Sequence, residues 1–511
     1  MIADRSRLSA AHGLAVLLVT LAILAACGSP EVSPTTPVVA ASSSPAGTRI
    51  EATSSPEAAA SDRPTAVPMT PSPKPQPATW TTTGSMREVL SGVQAARLGD
   101  GRVLAVGRRS IPNDDIGATV AELWDPTTGR WSKTEGLDKV RTEFALVSLV
   151  DGRVLVVGGR NTSDASFSSA WAFDPVTEHW SKAGLMDKAR AAPAAAVLPD
   201  GRVLVAGGYF AFEPQGERPG PSIDLAAYRV RPSEDDRSPA PLADIDVPPG
   251  GRAMATAELF DPRTGTWSST GAMRYARAGA EAVTLSDGRV LVFGSTTEPG
   301  QGAVIVDGGA LSTAEVYDPT TGRFSLAGEL PGFDVDPPAW AEDYLGGGDI
   351  SRVGTLVALD DGGAILAGHM EWQKHAADFS SSYRLDPKRK TWSEIEQAFV
   401  SIWENGPRAR GWSSSGRDLG GAVAVKLADG RVLVAGGGGM QVESQTPIVR
   451  AARLYDPATN SWSKVPRMPA ARTGATGVLL DDGAVLVIGG YADRDHGYQD
   501  SRSANRFVPA H

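Results

Sequence analysis

The most regular feature of the chain is a short run of apolar residues that directly follows an Asp-Gly pair. In the first copy, Asp100-Gly101-Arg102 leads into Val103-Leu104. Consecutive apolar residues in such a short run indicate a strand buried on both faces. The Asp-Gly pair supplies the positive φ that a tight hairpin turn needs. The seven copies of the turn begin at Asp100, Asp151, Asp200, Asp287, Asp361, Asp429 and Asp482.

A second strand pattern follows six of these seven runs. It consists of a strand that ends in Asp-Pro, a turn, and a strand that starts with an aromatic residue, as in Ala121–Trp131. Together with the strand that enters the Asp-Gly turn, each unit therefore has four strands. Such sheets bury their faces by stacking, and a closed ring leaves no terminal face exposed. The aromatic residues are Trp131, Trp180, Trp267, Phe324, Trp392 and Trp462.

The mismatch between seven turns and six aromatic strands predicts how the ring closes. The seventh unit ends near Phe507, where its third strand would end, and lacks its fourth strand. Near the other end, Trp80 and the residues up to Met86 match the spacing from Trp267 to Met273. We therefore predict that the segment at Trp80 supplies the outer strand of the seventh unit.

The repeat resembles the kelch family. The resemblance rests on the double glycine after the apolar run, as in Gly158-Gly159, on the Asp-Pro turn before tryptophan, and on the period of 49 residues from Trp131 to Trp180. It covers residues 79–511 and implies an all-β fold, a seven-bladed kelch-type β-propeller like the central domain of galactose oxidase. Gly368-His369 lacks the second glycine and Phe324 replaces tryptophan, which weakens the match of two blades.

The N-terminus has the pattern of an export signal. Arg5 and Arg7 precede the thirteen-residue apolar run Leu14–Ala26, which is too short for a bilayer-spanning helix of about 20 residues. The run ends in Leu24-Ala25-Ala26-Cys27, which resembles the lipobox of bacterial lipoproteins. The resemblance implies that residues 1–26 are a signal peptide and that Cys27 carries a lipid. We therefore predict an extracytoplasmic protein, anchored to the bacterial membrane or cell surface.

Residues 27–78 are rich in Pro, Ser, Thr and Ala, and have no aromatic residue. Such a composition buries too little apolar surface to offset the entropy of folding. We interpret it as a disordered tether with a root-mean-square reach of roughly 40 Å.

Composition excludes several classes of function. The net charge of −10 disfavours nucleic-acid binding. Cys27 is the only cysteine, so a disulfide and a zinc–thiolate site are excluded, as is the copper-radical chemistry of galactose oxidase, which needs a cysteine cross-linked to tyrosine. His369 and His375, near Glu371 and Asp378, are metal-binding residue types on one predicted loop, but we interpret them as solvated. We predict no cofactor, no metal and a monomer.

Six arginines precede the innermost strands and are the candidate ligand-binding residues. Equivalent positions repeat around the axis of a ring, so their guanidinium groups would encircle one end of the channel and suit carboxylates. The alternative is a structural role, in which each arginine pairs with a carboxylate of a neighbouring blade, such as Glu122, Glu258 or Glu315. The six are Arg141, Arg190, Arg277, Arg352, Arg417 and Arg472.

Strand alternation assigns the connections to two faces. The Asp-Gly and Asp-Pro turns lie on one face, here the short-turn face. The connections between second and third strands and the links between blades lie on the other, here the loop face, which carries all the long insertions. Since binding usually lies on variable loops of a rigid scaffold, we predict a binding module for a glycan or a protein rather than an enzyme. The alternative is a sugar-modifying enzyme of sialic acid mutarotase type.

Overall fold

Strands and turns make up the part of the chain that the computed structural model describes, and that part contains no helix. The described residues are 76–110, 118–162, 165–210, 252–294, 313–331, 355–370, 380–395, 421–437, 450–494 and 497–510. No helix within these ranges is therefore long and apolar enough to cross a membrane. The predicted signal peptide and almost all of the predicted tether lie outside them.

Seven four-stranded antiparallel sheets form the blades. The chain begins with β1 (Thr79–Thr82), which belongs to the last blade. Blade one consists of β2 (Leu90–Arg97), β3 (Val103–Arg109), β4 (Thr119–Asp125) and β5 (Arg130–Thr134). Blade two consists of β6 (Ala145–Ser148), β7 (Val154–Val157), β8 (Ser169–Asp174) and β9 (His179–Leu185). Blade three starts with β10 (Ala194–Val197) and β11 (Val203–Ala206), continues through a two-stranded extension of β12 (Tyr209–Phe210) and β13 (Arg252–Ala253), and ends with β14 (Ala257–Asp261) and β15 (Thr266–Ser269).

The second half of the ring follows the same order. Blade four consists of β16 (Glu281–Thr284), β17 (Val290–Phe293), β18 (Thr313–Asp318) and β19 (Arg323–Glu329). Blade five consists of β20 (Thr355–Ala358), β21 (Ala364–Met370), β22 (Ser380–Asp386) and β23 (Thr391–Ile395). Blade six consists of β24 (Ala422–Lys426), β25 (Val432–Gly436), β26 (Ala452–Asp456) and β27 (Ser461–Lys464). Blade seven starts with β28 (Thr476–Leu479) and β29 (Val485–Ile488), continues through a hairpin of β30 (Tyr491–Arg494) and β31 (Gly497–Asp500), and ends with β32 (Ala504–Val508).

The ring closes through the N-terminal strand, as the sequence predicts. Blade seven has the order β1-β32-β29-β28, so β1 is its outer strand. In the register of this pair, Trp80 lies opposite Phe507 and Thr79 opposite Val508. The innermost strands contact one another in the cycle β2, β6, β10, β16, β20, β24, β28 and back to β2. The prediction of an all-β fold with a seven-bladed propeller closed by an N-terminal outer strand is therefore confirmed.

The second strand of each blade forms the core. Val154–Val157 of β7 is fully buried at every position, because the residues that point to opposite faces of the sheet meet the two adjacent blades. The same burial applies to Val203–Val205 and Val485–Ile488. Consecutive valine, leucine and isoleucine residues therefore identify this strand, as expected for a sheet covered on both faces.

A tryptophan of the outer strand joins most blades to the preceding blade. The indole Nε1 of Trp131 donates to the carbonyl of Gly84 at 2.7 Å, and that of Trp267 donates to Ala183 at 2.8 Å. Trp80 makes the corresponding bond with Pro466 across the closure. In blade four Phe324 has no such donor, and the backbone N–H of Gly271 there donates to Gly322 at 3.0 Å. The equivalent backbone bond from Gly84 to Gly129 is also present beside Trp131, so blade four keeps this bond and lacks only the indole bond.

An arginine beside each Asp-Gly turn fixes the short-turn face. In blade one, Arg102 donates to Asp100 through Nε at 2.7 Å and to the carbonyl of Pro175 in blade two at 2.6 Å. Gly363 and Ala484 replace this arginine in blades five and seven. There the third strand supplies the guanidinium group instead, since Arg384 and Arg506 donate to the aspartates of their own turns, Asp361 and Asp482.

The closure yields a prediction about truncation. Removing residues 28–75 should leave the melting temperature unchanged, because no strand of the ring is lost. Removing residues 28–82 deletes β1 and leaves β32 as an unpaired edge, so we expect a fall of about 5 °C or more, or aggregation. Scanning calorimetry of the two truncated proteins tests this, and equal melting temperatures would contradict the role of β1.

Candidate functional site

The two faces of the propeller differ sharply in their connections. On the short-turn face all seven Asp-Gly turns have five residues between strands, as in Leu98–Arg102, and all six Asp-Pro turns have four, as in Pro126–Gly129. On the loop face the connection between second and third strands ranges from the short 110–118 to the long 207–256. A candidate site is therefore sought on the loop face, where the scaffold permits variation.

The four described candidate arginines are buried. Arg190 and Arg277 are fully buried, and Arg141 and Arg472 are exposed by only 1%. Arg352 and Arg417 lie outside the described residues, as does Cys27, and the side chains of His369, His375, Glu371 and Asp378 are not described either.

Arg190 shows what the guanidinium group does. It lies just before β10 and donates to the carbonyls of Gly207 and Thr256, both at 2.8 Å. It also donates to the carboxylate of Glu258 at 2.9 Å. Gly207 has a φ of 65° and starts the glycine pair, so the arginine ties the end of the second strand to the third strand.

The carboxylate partner belongs to the arginine's own blade, not to a neighbouring blade as the structural alternative supposed. Glu258 lies on β14, the third strand of blade three, and also accepts the backbone N–H of Asp187 at 2.7 Å. In blade four Arg277 donates to Glu315 at 3.1 Å, and the N–H of Arg274 does so at 2.6 Å. The geometry of the blade explains this. Glu258 and Glu315 lie on the third strand of their blades, close to the segment that leads into the innermost strand of the same blade.

Two of the arginines lack a carboxylate partner of this kind. Arg472 donates to the carbonyl of Gly489 at 3.0 Å and to the amide oxygen of Asn505 at 2.6 Å. Arg141 donates to the carbonyl and the hydroxyl of Ser169 at 3.1 and 2.9 Å. Burial lowers the pKa of each guanidinium group to about 10, so both remain charged at neutral pH.

Blade one has the buried carboxylate but not the arginine. Glu122 is fully buried and accepts the backbone N–H groups of Arg87 and Glu88 at 2.8 and 2.7 Å. Leu90 stands where the arginine of blades three and four would lie, three residues after the first of these donors. Burial raises the pKa of Glu122. The arrangement is thus a structural variant of the same junction.

These contacts favour the structural alternative for Arg141, Arg190, Arg277 and Arg472. Each guanidinium group donates to acceptors of its own blade through its terminal nitrogens, while Nε of Arg141 and of Arg472 has no hydrogen-bond partner among the described residues. Ligand binding by the six arginines stays a prediction, and the candidate site is assigned to other residues.

A cluster of polar side chains on the loop face joins blades two and three. Its members are Glu143, Arg160 and Tyr209, here the mouth cluster. Glu143 accepts from Nε of Arg160 at 3.0 Å and from the hydroxyl of Tyr209 at 2.5 Å. The side chains of Glu143 and Arg160 are exposed by 27% and 16%, whereas Tyr209 is buried. The carboxylate is therefore held in one orientation and remains accessible.

Glu143 occupies an unusual backbone position. Two residues after each described arginine the backbone is left-handed, and blades four and seven have Gly279 and Gly474 there. Blade three has Ala192, with a φ of 47°, and blade two has Glu143, with a φ of 53°. A residue with a Cβ pays about 1–2 kcal/mol in this region. Sequence reasoning missed Glu143, although its offset from the arginine marked the position.

The same position lies where adjacent blades meet. The N–H of Ala192 donates to the carbonyl of Glu143 at 2.7 Å, and the N–H of Gly279 donates to that of Ala192 at 2.8 Å. Between blades six and seven, Gly474 donates to Gly421 in the same way. These bonds connect the segments that enter the innermost strands, so the mouth cluster borders the loop-face end of the channel.

Comparison with known proteins agrees with this geometry. Residues 142–184, which begin just after Arg141 and take in blade two almost completely, match the family model of the kelch motif. The chain is a kelch-type β-propeller. Gly158 and Gly159, which follow the buried run of blade two, lie within the matched residues.

Curated proteins match parts of the propeller. Kelch-like protein 36 of Bos taurus is 24% identical over 247 residues, which are 48% of this chain and 32% of that protein. An F-box/kelch-repeat protein of Arabidopsis thaliana is 27% identical over 146 residues, 28% of this chain and 26% of its own length. N-acetylneuraminate epimerase of Brucella suis is 31% identical over 99 residues, 18% of this chain and 25% of the epimerase. The matches thus span a third or less of these relatives.

A solved structure extends the likeness over most of the chain. A fungal alcohol oxidase of the AA5 family, in complex with copper, superposes with a TM-score of 0.53 and 18% sequence identity. The match covers 85% of this chain and 76% of the oxidase. At this level of identity the two proteins share the fold alone.

The arginine contacts yield a prediction about stability. Arg190→Met should lower the free energy of unfolding by about 3–5 kcal/mol, because it leaves the carboxylate of Glu258 buried without its cation. The matched variant Arg472→Met leaves no buried carboxylate and should cost less. Urea titration of both variants measures the difference. If Arg190→Met were as stable as the unaltered protein, the structural role would be wrong and ligand binding by the arginines would gain support.

Proposed function

We propose that this kelch propeller is an extracytoplasmic binding module, held at the bacterial membrane or cell surface by a lipid on Cys27. In this proposal the loop face recognises a glycan or a protein. The observation that carries it is the contrast between the faces: thirteen short turns of two fixed lengths on one side and connections of widely different length on the other. Turns of fixed length serve the scaffold, whereas a binding surface needs variation.

The position of the described chain ends supports the same face. β1 runs antiparallel to β32, and Thr79 pairs with Val508. The first strand of the ring therefore starts, and the last strand ends, on the side of the short turns. The described chain therefore enters and leaves the propeller on the face opposite to the long connections.

An enzyme of sialic acid mutarotase type is the second candidate. Its support is the match of 99 residues to N-acetylneuraminate epimerase of Brucella suis. A propeller that turns over N-acetylneuraminic acid would favour this candidate, and one that binds ligands without turnover would favour the binding module.

The anchor is tested by one substitution. Cys27→Ser should move the protein from the membrane fraction to the soluble fraction, because the thiol that carries the lipid is lost. One acyl chain alone holds a protein only marginally, whereas several hold it firmly. Fractionation of cells that produce each form, with Ser29→Ala as the control, measures this. A Cys27→Ser protein that stays with the membrane would contradict the anchor.

The face is tested by steric blocking. In the Cys27→Ser protein, a cysteine replaces either Phe210 on the loop face or Val176 on the short-turn face, which are 39% and 89% exposed. Each of the two cysteine variants is coupled to polyethylene glycol and applied to arrays of glycans and of purified cell-surface proteins. We expect the polymer at position 210 to abolish binding and the polymer at position 176 to leave it intact, with the uncoupled variants as controls. The reverse result would place the ligand on the short-turn face.

A further inference from the structure

We propose that the Asp-Pro turn of blade five docks the propeller on an anionic lipid surface. After its proline this turn has three consecutive exposed cations, Lys388, Arg389 and Lys390, here the basic turn. The inference rests on the proposed function, because the lipid on Cys27 is what holds the propeller close to a membrane. It adds an orientation, in which the short-turn face lies on the membrane and the loop face points away from it.

The first step is the charge of the turn. The other five Asp-Pro turns have at most one cation among the three residues after proline. The carboxylate of Asp386 accepts the backbone N–H groups of Lys388 and Arg389 at 2.9 and 3.1 Å, and faces the guanidinium group of Arg389 at 3.5 Å. Lys388 and Lys390 form no ion pair within the part of the chain that the structure describes. The turn therefore keeps an excess of two positive charges.

The second step is the neutrality of the neighbouring turns. Pro387 and Lys390 border a small cavity together with Arg289 of the Asp-Gly turn of blade four, so the basic turn lies beside the Asp-Gly turns. Their aspartates do not cancel its charge, because each is already paired with a cation. The pairs are Asp100–Arg102, Asp151–Arg153, Asp200–Arg202, Asp287–Arg289, Asp360–Lys426, Asp361–Arg384, Asp429–Arg431, Asp481–Arg97 and Asp482–Arg506.

The third step is the position of the negative charge in the sequence. The connections 211–251 and 332–354 both start and end on the loop face. Together they contain thirteen Asp and Glu residues and five Lys and Arg residues, so they account for eight of the ten excess negative charges of the chain. An anionic surface repels these connections and attracts the basic turn. The distribution of charge therefore turns the short-turn face towards the lipid.

The fourth step is the point where the chain joins the propeller. Thr79 pairs with Val508, so the chain that leads back to Cys27 joins the ring on the face of the basic turn. Each basic residue near an anionic bilayer strengthens binding only about fivefold, so three cations bind weakly by themselves. A tether raises the local concentration of the propeller at the membrane to roughly millimolar, and at that concentration a weak contact is sufficient.

The test inserts the lipidated full-length protein into preformed vesicles, either of phosphatidylcholine alone or of phosphatidylcholine mixed with phosphatidylglycerol. A cysteine replaces either Thr459, on the adjacent Asp-Pro turn of blade six, or Phe210 on the loop face. Because Cys27 is the only native cysteine and carries the lipid, only the new thiol takes a fluorophore. Energy transfer to an acceptor on the lipid headgroups reports how close each position lies to the membrane.

We expect the transfer from position 459 to be at least twofold higher in the mixed vesicles than in phosphatidylcholine alone. The transfer from position 210 should be weak in both. High salt should remove the difference between the vesicles, because it screens the attraction between the basic turn and the headgroups.

The matched variant replaces the basic turn by the turn of blade one. Lys388→Thr, Arg389→Thr and Lys390→Gly together reproduce Thr127-Thr128-Gly129. The glycine also suits the left-handed backbone, since Lys390 has a φ of 54° and Gly129 a φ of 67°. This turn variant should therefore melt no lower than the unaltered protein, and should lose the additional transfer from position 459 in the mixed vesicles.

A control variant makes the same change in net charge on the other face. Lys139→Thr, Arg274→Thr and Arg502→Thr remove three exposed cations from the loop face. If the basic turn contacts the lipid, this control should keep the full transfer from position 459.

The outcomes that overturn the inference are distinct from a failure of the proposed function. A lipidated protein with equal transfer in the two kinds of vesicle, or with undiminished transfer in the turn variant, would refute the docking and leave the anchor intact. If the mass of the Cys27 peptide showed no lipid, the proposed anchor would fail. The docking is then measured by sedimentation of the Cys27→Ser chain with mixed vesicles at high lipid concentration, and the turn variant should lower that binding at least tenfold.

A protein partner would give another result. If the vesicles had no effect, and an acidic cell-surface protein bound the unaltered chain but not the turn variant, the basic turn would be a protein-binding surface and the lipid inference would be wrong.

Discussion

A blade of this propeller is stable only between two other blades, and the rest of the structure follows from that constraint. The second strand, such as Val154–Val157, is apolar on both faces, and an unfinished ring would expose such a surface at each end. The pairing of β1 with β32 completes the last sheet. Hydrogen bonds from Trp80, Trp131 and Trp267 to the preceding blade then hold neighbours at the periphery. The closed ring therefore depends on one strand of four residues that comes from the opposite end of the chain.

The fold was predictable because each blade repeats the same short sequence patterns. The turn at Asp100, the tryptophan at 131 and the orphan Trp80 each have copies at a fixed spacing, and a spacing can be compared within one sequence. The offset of the arginines was equally visible, since Arg141 precedes Asp151 by ten residues as Arg190 precedes Asp200. The direction of their side chains was not visible. A repeat gives the position of a residue around the axis, but burial and acceptors decide whether it faces the channel or its own blade.

The mouth cluster could not be predicted for a related reason. Arg160 and Tyr209 follow the double glycines of two different blades, and Glu143 precedes the innermost strand of one of them. Their contact arises only when blades two and three are assembled. A second example is the exchange of the turn arginine for Arg384 and Arg506 on the third strand, because it becomes apparent only once the strands are in register. Features that break the repeat need the structure for their interpretation.

The geometry of the closing strand has a mechanical consequence. Thr79, where the chain enters β1, pairs with Val508 at the very end of the sheet. A pulling force applied at residue 76, with the propeller held at its loop face, would run along β1 and reach the ring through the four residue pairs from Thr79 to Thr82. Tension from the N-terminal side therefore passes first through the strand that completes the ring.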